Sequence, residues 1–116
     1  MNQVVKQKWV AALRSGKFVQ GRSKLKHVSK EGNQHCCLGV LCEVHDQEYG
    51  CEQSFIGLEG FPPEHVMNWA ELPDAANLQF TFVRDDGQKF KESLIYLNDV
   101  RMYDFNQIAD LIEAQL

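Results

Sequence analysis

The first thirty residues contain no aspartate or glutamate; the earliest of the sixteen acids is Glu31. The same stretch holds eight of the twelve lysines and arginines (Lys6, Lys8, Arg14, Lys17, Arg22, Lys24, Lys26 and Lys30), so it carries +8 against −12 for the rest of the chain. A head without carboxylates cannot neutralise itself. Either it draws acids from later in the sequence across the fold, or it stays open to an anionic partner.

Other absences narrow the class further. No apolar run approaches the ~18 residues of a membrane-spanning helix. Met1 opens a polar, mixed segment without the apolar stretch of a secretory signal. A cytoplasm is the expected compartment, and there Cys36, Cys37, Cys42 and Cys51 are expected as thiols. Neither GxxxxGKS/T nor GxGxxG occurs, which excludes the usual strand-loop-helix nucleotide sites. No repeat, low-complexity tract or linker divides the 116 residues, so a single domain over 1–116 is expected, long enough for one core. The net charge of −4 favours solubility and argues against nucleic acid as the partner of the whole molecule.

What is present reads as an α+β domain: three to four helices packed on a small antiparallel hairpin or sheet. Asn2 can cap a first helix whose Val5, Trp9, Ala12 and Leu13 share a face, with Gly16 as its stop and Lys6, Gln7 and Arg14 on the solvated side. Residues 17–29 read as a loop and short edge strand guarded by lysines, and Gly32 with Asn33 as a turn. HCCLGVLCEVH, residues 35–45, is apolar nearly all round and predicts a buried helix. FPPE at residues 61–64 predicts a helix start with proline at the first position; the helix runs inward through Val66, Met67 and Trp69 to about Leu72, and Pro73 ends it. Alternation from Leu78 through Phe80 and Phe82, then Asp86-Gly87 and Phe90, predicts a hairpin. Leu94, Ile95 and Leu97 form a short helical turn or strand end. Asp104 with Gln107 fits a capping box ahead of a last helix striped by Phe105, Ile108, Leu111, Ile112 and Leu116.

The strings WVAALRSGKFVQG, HCCLGVLCEV, LPDAANL, SLIYLND and FNQIADLIEAQL, in that order, resemble a family of short uncharacterised phage and prophage proteins. The resemblance spans most of the chain and brings no activity with it. It implies a setting: an accessory product acting inside an infected host cell, of the kind that blocks a host factor or sequesters a signal. It also places partner-specific surface in residues 23–34 and 47–60.

Three cysteines within seven residues invite a metal, but spacing discourages it. On a helix Cys37 and Cys42 stand ~140° and ~7.5 Å apart, whereas zinc needs sulfurs ~2.3 Å from one ion. No Cys-x-x-Cys occurs, so no metal and no cofactor is expected; the alternative set is Cys42, His45 and Cys51, with Cys36 in reserve. The cysteines are read as small buried hydrophobes, and Gly39 among them as the mark of a close backbone approach. His35 beside Cys36 points ~100° away on a helix and forms no dyad with it, so an enzyme is not expected. The carboxylates Glu43, Asp46, Glu48, Glu52, Asp85 and Asp86 read as a solvated acidic face.

The functional expectation rests on the basic head: Trp9, Arg14, Lys17, Arg22, Lys24 and Lys26 converging on an anionic small molecule, nucleotide-like, or on a host protein, with Trp9, Phe18 or His27 for stacking. The rival readings are a protein-only module that uses the acidic surface as a nucleic-acid mimic, and a zinc- or cysteine-dependent enzyme. A homo-oligomer would enclose a pocket at its subunit interface.

Overall fold

The computed structural model describes residues 1–51, 54–72 and 79–116. Helix α1 (Gln3–Arg14) starts where Asn2 Oδ1 accepts the Val5 N–H at 3.1 Å and stops ahead of Gly16, whose φ of +74° suits glycine. Val5, Trp9, Val10 and Leu13 enter the core. Lys6, expected on the solvated side, is buried too.

Three short strands follow: β1 (Val19–Gln20), β2 (Lys26–Ser29) and β3 (Gly32–His35). β3 lies between the others, parallel to β1 and antiparallel to β2. Ser29 pairs with Gly32, so the turn is made by Lys30 and Glu31; Gly32 and Asn33, read from sequence as the turn, open a strand instead. The sequence GNQH has little strand preference, and pairing on both edges imposes the extended form. Because side chains alternate along a strand, the register row Gln20, His35, Lys26 faces the protein while the row Val19, Gln34, His27 faces out.

Helix α2 (Cys37–Tyr49) begins two residues later than its composition suggested, because His35 is the last rung of β3. Cys36 makes no side-chain cap, and the missing partner comes from far away: Asn98 Oδ1 accepts the Cys37 N–H at 3.3 Å. The helix is buried on nearly all sides through Asp46 and closes at Gly50 in the left-handed region. Helix α3 (Glu64–Ala70) has Pro63 as its cap rather than as its first residue. It ends short of Leu72, at Glu71 with φ +55°. Val66 is buried, and Met67 and Trp69 half-buried. Pro73, Leu78 and most of the LPDAANL string lie outside the described residues, as does Glu52.

The hairpin of β4 (Gln79–Val83) and β5 (Lys89–Ser93) is in register from Gln79↔Ser93 to Val83↔Lys89, with Gly87 at φ +83° in its loop. Phe80 and Phe82 point inward as the alternation predicts. Helix α4 (Leu94–Asp99) follows at once, capped by Ser93, so residues 94–97 are helical. Helix α5 (Phe105–Gln115) has the expected capping box of Asp104 and Gln107, and buries Phe105, Ile108, Ala109 and Ile112. Removing the Asp104 oxygen orphans the Gln107 N–H. Asp104→Ala should therefore lower unfolding free energy by about 1 kcal/mol in urea titration, and a change under about 0.3 kcal/mol would show the cap to be idle.

The described residues thus make an α+β domain with five helices and two small sheets, one a mixed three-stranded sheet and one a hairpin. The helix count exceeds the expected three to four because α4 is a full element. No helix among the described residues is long and apolar enough to cross a membrane.

Candidate anion-binding groove

Three of the eight cations of the basic head are taken up by the protein's own acids. Arg14 forks between Asp110 Oδ1 at 2.6 Å and Glu113 Oε2 at 2.5 Å on α5, and these hydrogen bonds push its guanidinium pKa further up. Lys8 reaches Glu48 at 3.4 Å. Lys26 points inward, where its Nζ donates to Glu43 Oε1 at 2.8 Å, and His35 Nε2 meets the same oxygen at 2.8 Å. Burial pushes the Glu43 carboxyl up, but the bonds from His35 and Lys26 outweigh it and hold the group below its ordinary value. Trp9 is fully buried, and its Nε1–H donates to the Cys37 carbonyl at 2.9 Å. These placements remove Trp9, Arg14 and Lys26 from the expected ligand set. Lys17 is exposed.

Arg22, Lys24 and Lys30 are arranged differently. Arg22 and Lys24 line a groove of about 430 Å³ with Gln20, Gly21, His27, Gln34 and Met102. It adjoins a second hollow of about 480 Å³ bounded by Val19, Lys30, Glu31 and Asn33. His27 and Gln34 belong to both, so the outward sheet face is one concave strip. Among the described residues none of the three cations forms an ion pair with a carboxylate of the chain. Arg22 Nε instead donates to Met102 Sδ at 3.2 Å, and its Nη1 to the Gly21 carbonyl at 3.2 Å.

The floor of this groove is held from beneath by a buried amide. Asn98, with no exposed surface, accepts from Gln20 Nε2 at 2.7 Å and from the Cys37 N–H. Its Nδ2 donates to the Gly21 carbonyl at 2.9 Å and to Asp99 Oδ1 at 2.7 Å. Every hydrogen-bonding position of that side chain is used, which fixes β1, the Gly21 corner and the start of α2 against α4. Gly21 is needed here, since a Cβ would lie 2.8 Å from Gln34 Cβ. The backbone above it is strained: Ser23 at φ +69° and Met102 at φ +57° both line the groove, two of the three non-glycine residues with positive φ among the described residues.

Sequence reasoning found Arg22, Lys24 and His27 but not Gln20, Gln34, Asn98 or Met102. Asn98 was visible only as part of the SLIYLND string, whose spacing says nothing about a partner 77 residues away at Gly21. The other candidate chemistry fares differently. Cys36, Cys37 and Cys42 are buried, and burial pushes all three thiols up, the opposite of what a nucleophile needs. Cys51 is exposed and stands near His45 and Asp46, whereas Cys42 is not in that group.

No curated protein and no solved structure matches the chain. One family model does, and it covers residues 1–116 without remainder. By that match the chain belongs to the family described as the domain of unknown function DUF8296.

Proposed function

We propose that the protein is a non-enzymatic binder of a phosphate-bearing small molecule, nucleotide-like, which it holds on the outward face of the three-stranded sheet. The observation that carries this reading is the division of the basic head. Lys8, Arg14 and Lys26 are each paired with the chain's own acids, whereas Arg22, Lys24 and Lys30 border a concave strip with a single carboxylate, Glu31. Arg22 offers a planar fork for phosphate, Lys24 and Lys30 mobile charge, and His27 a ring at the centre of the strip. Gln20 and Asn98 keep the Gly21 floor in place, which lowers the ordering cost of binding. In the setting that the sequence resemblance implies, the ligand is a signal of the infected cell and the protein a phage-encoded sponge that counters host defence.

The test is a thermal-shift and calorimetric screen with cyclic and linear nucleotides and inorganic phosphate. A ligand present at 100 times its Kd adds about 2.7 kcal/mol of stability, a shift easily read in a domain of this size. Arg22→Ala and Lys24→Ala should each weaken binding about tenfold, since a charged hydrogen bond contributes about 1.5–3 kcal/mol. Absence of stabilisation by any of these compounds at millimolar concentration, or unaltered affinity in both variants, overturns the reading.

A further inference from the structure

The last turn of α2 gathers metal-ligating side chains that the groove does not use. His45, Asp46 and Cys51 each bring a donor atom within 4.8 Å of the other two. His45 Nδ1 and Asp46 Oδ1 are already 2.7 Å apart, on side chains 8% and 5% exposed. Asp46 Oδ2 is buried and has no hydrogen-bond partner among the described residues. A carboxylate oxygen buried without a donor from the protein is costly, and such an oxygen is satisfied by an ordered water or by a cation.

The electrostatics of this corner point the same way. The last turn of α2 carries no basic residue, and among the described residues no lysine or arginine pairs with Asp46. The negative end of the helix dipole falls here as well, with the Asp46 carbonyl accepting the Gly50 and Cys51 N–H groups. A buried carboxylate, a helix C-terminus and a thiol together lack positive charge.

We propose that His45, Asp46 and Cys51 form a binding site for a divalent transition-metal ion of the zinc class. The mixed nitrogen, oxygen and sulfur set suits zinc, whereas calcium and magnesium take oxygen ligands. Metal–ligand bonds of about 2.0–2.3 Å place tetrahedral donors roughly 3.3–3.8 Å apart. The donors farthest apart therefore close by about 1 Å, which rotation of the exposed Cys51 side chain just past the Gly50 cap can supply, while His45 Nδ1 and Asp46 Oδ1 open from 2.7 Å as the ring proton between them moves to Nε2. Binding sends the Cys51 thiol proton to solvent, so affinity rises with pH. Water or His65, whose ring centroid is 5.0 Å from that of His45, completes the coordination. Tyr49 and Trp69 also lie against the His45 ring, each at 5.0 Å, and form an aromatic wall that limits solvent access. This set replaces the Cys42, His45, Cys51 alternative: Cys42 is fully buried in the core, and the unpartnered oxygen belongs to Asp46.

Calorimetric titration of the full chain with zinc chloride should show one ion per molecule, with Asp46→Asn and Cys51→Ser each weakening binding at least about tenfold. Cobalt(II) in place of zinc should give the strong visible bands of a tetrahedral site with a thiolate charge-transfer band that Cys51→Ser removes. Cys51 is exposed, so this variant keeps the fold even if Asp46→Asn does not. Failure of the wild-type chain to retain zinc through dialysis at micromolar concentration, or a cobalt spectrum unchanged by Cys51→Ser, overturns the proposal.

Discussion

Gly39→Ala should cost the protein about 3 kcal/mol or more, a large fraction of the roughly 5–15 kcal/mol that holds a domain folded. Two effects oppose each other at this position. Alanine is the better helix former, by about 1 kcal/mol in a helix interior. Against that gain, a Cβ on Gly39 would stand 1.7 Å from the Leu25 carbonyl oxygen and 2.6 Å from its carbon. Both atoms are backbone, and the strand they precede is anchored. The Leu25 N–H donates to the Leu58 carbonyl at 2.8 Å, the Lys26 carbonyl accepts from the Gly57 N–H at 2.8 Å, and Lys26 pairs with His35. Relieving the clash means moving α2 away from the sheet or breaking these bonds, and either outweighs the gain in propensity. Urea titrations followed by far-ultraviolet circular dichroism and tryptophan fluorescence provide the measurement. A Gly39→Ala variant as stable as the parent would show that α2 and residue 25 do not meet as described.

The second large effect centres on Glu43. Its side chain is 4% exposed and that of Lys26 9%, so deleting the acid takes from an interior cation the carboxylate it donates to. Breaking a buried pair in this way costs about 3–5 kcal/mol, and Glu43→Ala should fall in that range. Replacing the whole triad with apolar residues of similar volume (Glu43→Leu, Lys26→Met, His35→Leu) should be far less damaging, because no charge is then left behind. His35 sharpens the point. Its Nε2 meets the Glu43 carboxylate, while Nδ1 is buried with no hydrogen-bond partner among the described residues, a polar atom that an apolar replacement removes. A triple variant less stable than Glu43→Ala would contradict this account.

The pH dependence follows from the same carboxylate. Its pKa is lowered in the folded state, so the unfolded chain binds the proton more readily. The stabilisation is complete above the ordinary carboxylate value of about 4.3 and is lost as pH falls through the lower folded value. The melting temperature of the parent should therefore drop more steeply below about pH 4 than that of Glu43→Gln, which has no proton to take up. Parallel curves for the two proteins would assign acid sensitivity to other groups.

How much of this was legible beforehand depended on range. The capping atoms of α1 and α5 lie within three residues of the N–H groups they satisfy, and the apolar stripes of both helices repeat every three to four residues. The β4–β5 hairpin announced itself through alternation and Asp86-Gly87 in its loop. Gly39 reads as a site of close approach, but residue 25 as the backbone that approaches it does not, since 13 residues and two strands intervene. The hairpin of β2 and β3 escaped because GNQH has no strand signature of its own. Trp9 shows a different limit: the spacing that placed it on the apolar face of α1 also placed it out of reach of a ligand.

By itself the sequence determined the α+β class, the single domain, the caps that start α1 and α5 and the charge imbalance of the first thirty residues, all of them set by composition or by neighbours within one turn. Only the tertiary structure decided which of those charges remain available. Arg14 finds its acids 96 and 99 residues away on α5, while Lys26 turns inward because of its place in a two-residue strand period. Coulomb attraction between side chains depends on distance in space, and the chain brings distant residues together only after it has packed.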